Sequence, residues 1–196
     1  MPDIHNILIV GVGGQGILLA SELLGAVAFE AGYDVKKSEV HGMAQRGGVV
    51  SSHVRFGEKV YSPLIPEGEA DTILAFEEAE AQRWLHFLKP GGNLIVNRRR
   101  LVPPIALMRD FSYPSDPVER VRERSGRVIP VDAMKFAKEI GNPKVENILL
   151  LGTLSTTLWI DAAIWTDTIR KWVPKETVEI NLKAFDEGRN TVSWHQ

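Results

Sequence analysis

No cysteine occurs anywhere in the 196 residues. That absence removes disulfides, thiolate nucleophiles and the cysteine sets that ligate iron–sulfur clusters, so any redox centre serving this chain must be borrowed from another. Charge of one sign is lacking too: 23 basic against 25 acidic residues leave a formal net charge of −2, with no global field toward nucleic acid or an anionic membrane. No apolar run approaches the ~20 residues that a membrane helix needs. Pro2-Asp3-Ile4-His5-Asn6 carries no basic n-region, and the apolar run behind it breaks at glycines, so no signal peptide is predicted and a cytoplasmic protein is expected. His5, His53, His86 and His195 show no metal-ligand spacing among themselves or with acidic residues, and no metal site is predicted.

What is present suits one compact domain over residues 1–196, since 44% apolar side chains in a chain of this length can bury a full core. Ile7-Leu8-Ile9-Val10 is a continuous aliphatic run ending at glycines, the pattern of a parallel strand buried on both faces. Gln15 to Ala31 then repeats apolar residues at helical spacing and stops at Gly32. Further strands are predicted at Tyr33 to Ser38, Val49 to Phe56, Asp71 to Phe76, Asn93 to Asn97 and Arg127 to Val131, with a helix over Glu77 to Leu88 that Lys89-Pro90-Gly91-Gly92 ends. From Asp132 onward the pattern is helical: one helix capped by Asp132 and ended by Gly141-Asn142-Pro143, then helices near Val145 to Trp159, Asp161 to Trp172 and Lys175 to Glu187. The alternation predicts a three-layer α/β/α sandwich around a mostly parallel, Rossmann-like sheet, with a helical C-terminal part. Arg98 to Gly126 is broken by Pro103-Pro104, Pro114 and Pro117, and reads as a mobile loop or partner contact.

Two motifs carry the chemistry. Gly11-Val12-Gly13-Gly14-Gln15-Gly16 fits G-x-G-x-x-G between a strand and a helix, where glycines allow a tight turn and helix N–H groups can hold a phosphate or other anion. The same glycines also serve close packing of helix on strand. The dinucleotide fingerprint is incomplete: the only acidic residue at the end of the next strand is Glu39, behind Lys36-Lys37 and running into His41-Gly42. No Lys-Ser/Thr pair follows the glycines, which excludes a Walker loop. The second motif is Ser38-Glu39-Val40-His41-Gly42-Met43-Ala44-Gln45-Arg46-Gly47-Gly48, dense in side chains that hydrogen-bond anions and amides. Arg46 between Gln45 and Gly47 can meet a carboxylate or phosphate bidentately. Taken singly, His41 and Arg46 are more often structural.

Together the two motifs resemble the gamma-type domain of 2-oxoacid:acceptor oxidoreductases, which pairs a G-x-G-G-Q-G turn with a downstream R-G-G loop. The form His41-Gly42-Met43-Ala44-Gln45-Arg46-Gly47-Gly48 is similar to that in the beta subunit of indolepyruvate:ferredoxin oxidoreductase, and Asn147-Ile148-Leu149-Leu150-Leu151-Gly152 is similar to a family segment near the end of the domain. The resemblance covers nearly the whole chain. It implies a small subunit, inactive by itself, that completes, covers or gates the active site of a larger partner. That partner would hold thiamine diphosphate, magnesium and iron–sulfur clusters, decarboxylate an aryl pyruvate, pass the acyl group to coenzyme A and deliver electrons to ferredoxin. The chain itself lacks the Gly-Asp-Gly signature of a thiamine site and would bind none of these cofactors alone. The residues it would turn toward the active site, an anion or coenzyme A are Gly11, Gly13, Gly14, Gln15, Gly16, His41, Gln45, Arg46 and Gly47.

Two other classes stay open at this point. One is a nucleotide-binding Rossmann-like enzyme, NAD(P)-dependent or adenylating, for which a ribose-binding acid and a catalytic group are not found. The other is a non-catalytic binding or scaffold protein, with the C-terminal helices as a homodimer contact. Trp159, Trp165 and Trp172 are read as core or interface packing, and Arg98-Arg99-Arg100 as a solvated run, with coenzyme A phosphates as the minority alternative.

Overall fold

The computed structural model describes residues 4–41, 48–101, 117–122 and 126–191. Six strands form one sheet in the order β2-β3-β1-β4-β5-β6. They are β1 (His5–Val12), β2 (Asp34–His41), β3 (Val49–Gly57), β4 (Ala70–Ala75), β5 (Leu88–Asn97) and β6 (Arg127–Val131). β1, β4, β5 and β6 run parallel, whereas β3 lies antiparallel between β1 and β2. The sheet is thus mixed: its parallel half carries the Rossmann-like pattern, and an antiparallel hairpin extends it.

Helices cover both faces. α1 (Ile17–Glu30), α4 (Ala133–Ile140), α5 (Glu146–Ser155), α6 (Ala162–Trp172) and α7 (Val178–Asn190) bury one face with Ile7, Ile9, Leu74 and Ile95. The opposite face takes Leu8, Val10, Ile73, Ala75, Leu94 and Val96, packed with Ala81 of α2 (Glu78–Arg83) and Val118 and Val121 of α3 (Pro117–Arg122). Neighbouring residues of β1 therefore enter opposite cores, which is why its sequence is apolar without alternation. The three-layer architecture follows from this partition.

Several boundaries differ from the sequence pattern for local reasons. β5 starts at Leu88, opposite Ala70, instead of at Asn93, and its register against β4 shifts between Ala70 and Thr72. Gly91 (φ 75°) and Gly92 allow that irregularity, which keeps Lys89-Pro90 in the strand where a helix stop was expected. α2 accordingly ends at Arg83, followed by a 3₁₀ turn at Leu85–Phe87. β3 is buried almost continuously, not in alternation, because it is flanked on both sides within the sheet and covered by α1 and by the stretch around Ile65. α3 lies inside the segment expected to be irregular. Asp132 caps α4 as expected, accepting from the Lys135 N–H at 3.1 Å, and Gly141 ends it at φ 103°.

The three tryptophans do not line one surface. Trp165 is fully buried and stacked on Phe185 at 5.6 Å, Trp159 is 91% exposed and Trp172 lies between these extremes. Where α5 crosses α7, Gly152 faces Gly188, and a Cβ on either would come within 3.1 Å of the other's Cα. The helices approach this closely because neither residue carries a side chain. None of the helices is long and apolar enough to cross a membrane among the described residues.

Candidate functional site

β1 and β4 are adjacent and parallel, but the helices that leave them go to opposite faces, α1 to one and α2 to the other. Their C-terminal ends thus flank a topological switch point, the crevice in which open α/β sheets usually take their ligands. The glycine turn sits on this crevice. Gly14 (φ 98°) is exposed with open space where a Cβ would stand, and Gly16 (φ 80°) begins α1. Gly11 is buried, and a Cβ there would lie 2.8 Å from Gln15 Oε1, Ile17 Cδ1 and Phe76 Cβ. It allows strand, helix and the residue after β4 to meet.

Gln15 is buried beneath the turn. Its Oε1 accepts from the Val12 N–H at 2.7 Å, and its Nε2 donates to the Phe76 carbonyl at 2.7 Å. Fully buried Asn97, at the end of β5, donates to the same carbonyl at 3.2 Å and to Glu146 Oε1 at 2.8 Å. The inner part of the crevice is therefore closed by side-chain amides, and the accessible part is the rim formed by Gly13, Gly14 and the start of α1.

Gly48, the last residue of the second motif, lies against that rim. β1 and β3 pair up to Val12 opposite Val49, and the Gly13 N–H donates to the Gly48 carbonyl at 2.9 Å. His41 closes β2 opposite Val50, at the same end of the sheet. Gln45, Arg46 and Gly47, between β2 and β3 in sequence, lie outside the described residues; the chain is described again from Gly48, beside the glycine turn. Leu18 and Leu19 on the first turn of α1 and Val40 near the end of β2 expose large apolar side chains at this end. Ser21 Oγ, donating to Glu39 Oε1 at 2.8 Å, ties the two elements together.

The topology also weighs on the dinucleotide alternative. Glu39 lies on β2, which β3 separates from β1, so it stands two strand spacings, about 9–10 Å, from the strand that carries the turn. A dinucleotide fold would place its ribose acid on the strand adjacent to β1. Here Glu39 instead meets Ser21 and lies 3.6 Å from Lys37 Nζ.

Arg98-Arg99-Arg100, expected as a solvated run, departs from that reading. Arg99 pairs with Glu146, and Arg100 Nε donates to Glu78 Oε2 at 2.6 Å, so two guanidinium groups neutralise carboxylates that are themselves buried. Glu77 receives the N–H groups of Glu80 at 3.0 Å and Leu101 at 3.1 Å. Glu80 is shifted upward by burial, opposed by the charge of Arg83 and a hydrogen bond from Trp84, with Glu77 adding to the rise. This polar layer was not found from sequence; its signal is the conjunction of Glu77-Glu78, Asn97 and Glu146 at the ends of predicted elements. Elsewhere, buried His53 accepts from the Ile65 N–H at 3.2 Å. No group of His, Asp or Glu among the described residues is arranged to hold a metal ion.

With this geometry in view, the family model described as pyruvate ferredoxin/flavodoxin oxidoreductase matches residues 6–191. The chain belongs to that family. It is 45% identical over 189 residues to the indolepyruvate oxidoreductase subunit IorB of Pyrococcus horikoshii, covering 94% of each protein. It is 40% identical to the subunit of the same name from Archaeoglobus fulgidus, with 94% of each covered. The fold is similar to that of the gamma subunit of a keto/oxoacid ferredoxin oxidoreductase from Geobacter sulfurreducens, with a TM-score of 0.72, 24% identity, and 96% and 98% of the two chains covered.

Proposed function

We propose that this chain is the small subunit of a 2-oxoacid:ferredoxin oxidoreductase of the indolepyruvate type, acting in the cytoplasm as a single domain within a larger complex. The observation that carries the reading is the 45% identity to an indolepyruvate oxidoreductase subunit over 94% of both chains.

In this reading a larger partner subunit holds thiamine diphosphate, magnesium and the iron–sulfur clusters. Those groups supply decarboxylation of the aryl pyruvate, acyl transfer to coenzyme A and electron transfer to ferredoxin. A chain without cysteine has no thiolates with which to hold clusters. Its own contribution is surface: the rim of Gly13, Gly14 and Gly16, with His41, Gln45, Arg46 and Gly47 on the adjoining loop, faces the partner's active site and contacts an anionic group there, coenzyme A included. The exposed Leu18, Leu19 and Val40 beside that rim supply apolar area for the partner. Gly11 and Gln15 act from beneath, holding the turn in shape.

The test is reconstitution. Co-expressed with its large subunit, the chain should form a stable complex that oxidises indolepyruvate in a coenzyme A-dependent reaction with ferredoxin or a viologen as acceptor. Alone it should show no such activity. A stoichiometric cluster or micromolar thiamine diphosphate bound by the isolated chain, or failure to assemble, would overturn the reading.

A further inference from the structure

The first turn of α1 has donors and nothing to receive them. Gly16, at the N-cap, offers no side-chain oxygen, no acidic residue follows in the first turn, and the amides of Ile17, Leu18 and Leu19 make no hydrogen bond to any described residue; the first helical bond is from the Ala20 N–H to the Gly16 carbonyl at 3.0 Å. Unpaired N–H groups at a helix start are common at a solvated surface. A second feature sets this one apart.

Asn147, on the first turn of α5, is only 5% exposed. Its Oδ1 accepts from the Ile148 N–H at 2.9 Å, which fixes the orientation of the side-chain amide, because a flipped amide would set two donors against each other. Nδ2 then points at the start of α1: a Cβ on Gly16 would stand 2.9 Å from it. Nδ2 makes no hydrogen bond to any described residue. Its sequence neighbour Glu146 is equally buried but fully engaged by Asn97 and Arg99. The Nδ2 of a residue that is otherwise buried, without a partner among the described residues and beside three unpaired backbone donors, is a convergence of donors without an acceptor.

We infer that Asn147 Nδ2 and the amides of Ile17, Leu18 and Leu19 form an oxyanion-binding site, which takes a carboxylate or phosphate group. Donors alone converge there, so a ligand group that only accepts is the complement, and the positive end of the α1 dipole favours negative charge. The nearby carboxylates do not oppose it, since Glu39 lies beside Lys37 and Glu146 is paired with Arg99. The site deepens the active-site-facing role proposed for the glycine turn by naming the ligand chemistry and a side chain outside both motifs.

The experiment is a ¹⁵N–¹H titration of the full chain with inorganic phosphate and, in a second arm, acetate. Saturable shifts are expected at Ile17 to Leu19 and at the Asn147 side-chain amide. Asn147→Asp keeps the acceptor for Ile148 and places an acid where the α5 dipole tolerates it, so the fold should persist while phosphate affinity falls at least about tenfold. Asn147→Leu should lose affinity likewise. A response to phosphate alone assigns the site to a phosphoryl group, and a response to acetate as well assigns it to carboxylates too. No saturable response of the wild type up to about 50 mM of either anion overturns the site, as does equal affinity in a folded variant. Should both variants fail to fold, the wild-type titration alone decides. Assembly with the large subunit needs neither anion, so an unresponsive turn in a chain that still assembles removes this site and keeps the subunit reading, whereas anion binding without assembly does the reverse.

Discussion

The side chain of Gln15 bridges the crevice between β1 and β4, donating to the Phe76 carbonyl at 2.7 Å while accepting from the Val12 N–H at 2.7 Å. The residue that gives the glycine motif its G-G-Q-G form thus works mainly inward, and what it leaves for a ligand is backbone.

Gln15→Leu should therefore act on stability first. It leaves the Val12 N–H and one of the donors to Phe76 unreplaced in a buried setting, at a cost of about 2–4 kcal/mol. For a domain of this size that lowers the melting temperature by roughly 5–15 °C in calorimetry. A variant that melts like the wild type but loses complex activity would move Gln15 from clasp to contact residue.

Gly188→Ala should be more damaging than most glycine substitutions in helices. Its Cβ would fall inside the van der Waals envelope of the Leu149 carbonyl oxygen, and Gly188 also supplies the carbonyl that Thr153 Oγ1 meets at 2.9 Å. Backbone cannot step aside as a side chain can, so α5 and α7 must separate, costing at least about 3 kcal/mol. Gly32→Ala, where a Cβ meets open space, isolates the cost of a positive φ alone and should be milder in urea unfolding.

Much of this fold was legible because its parallel half is written in local pattern. Ile7-Leu8-Ile9-Val10 had to be a doubly buried strand, and Asp132 and Gly141 marked the two ends of α4. Pairing partners are another matter: that β3 inserts antiparallel between β1 and β2 depends on which edges meet in space, and no residue of Val49 to Gly57 encodes it. The glycine turn was legible as a turn, and its junction with the second motif through Gly13 and Gly48 required the sheet. Asn147 stood in a noted helix segment, yet its unpaired amide is a property of the approach of α5 to α1 and has no sequence signature.

His53 gives the chain a pH dependence of known sign. Burial first, and the charge of Arg55 second, hold its pKa below the ordinary 6.5, so the folded state prefers the neutral ring that accepts from Ile65. The unfolded chain takes up its proton near 6.5 and the folded one only at lower pH, so this contribution is complete above 6.5 and is lost as pH falls through the lowered folded value. Urea unfolding of wild type and His53→Gln at about pH 7.5 and about pH 5.5 isolates the effect. The wild type should lose more stability across that interval than the variant; parallel losses would assign the dependence to other groups.

Arg46 provides the decisive separation between a loop that shapes itself and a loop that serves a partner. The loop's described flanks are held by backbone, His41 paired with Val50 and the Gly48 carbonyl accepting from the Gly13 N–H, whatever the arginine does. A guanidinium flanked by glycine can approach an anion bidentately, and lysine keeps the charge but not the fork. If Arg46 meets substrate, coenzyme A or the edge of the partner's cofactor, Arg46→Lys in the reconstituted complex should cut turnover at least about tenfold, the equivalent of one charge-assisted hydrogen bond of about 1.5–3 kcal/mol. The isolated variant should melt at the wild-type temperature, because the anchor is backbone. The opposite pattern, a lowered melting temperature with turnover preserved, would make Arg46 a structural pin and withdraw His41 and Gln45 from the site with it.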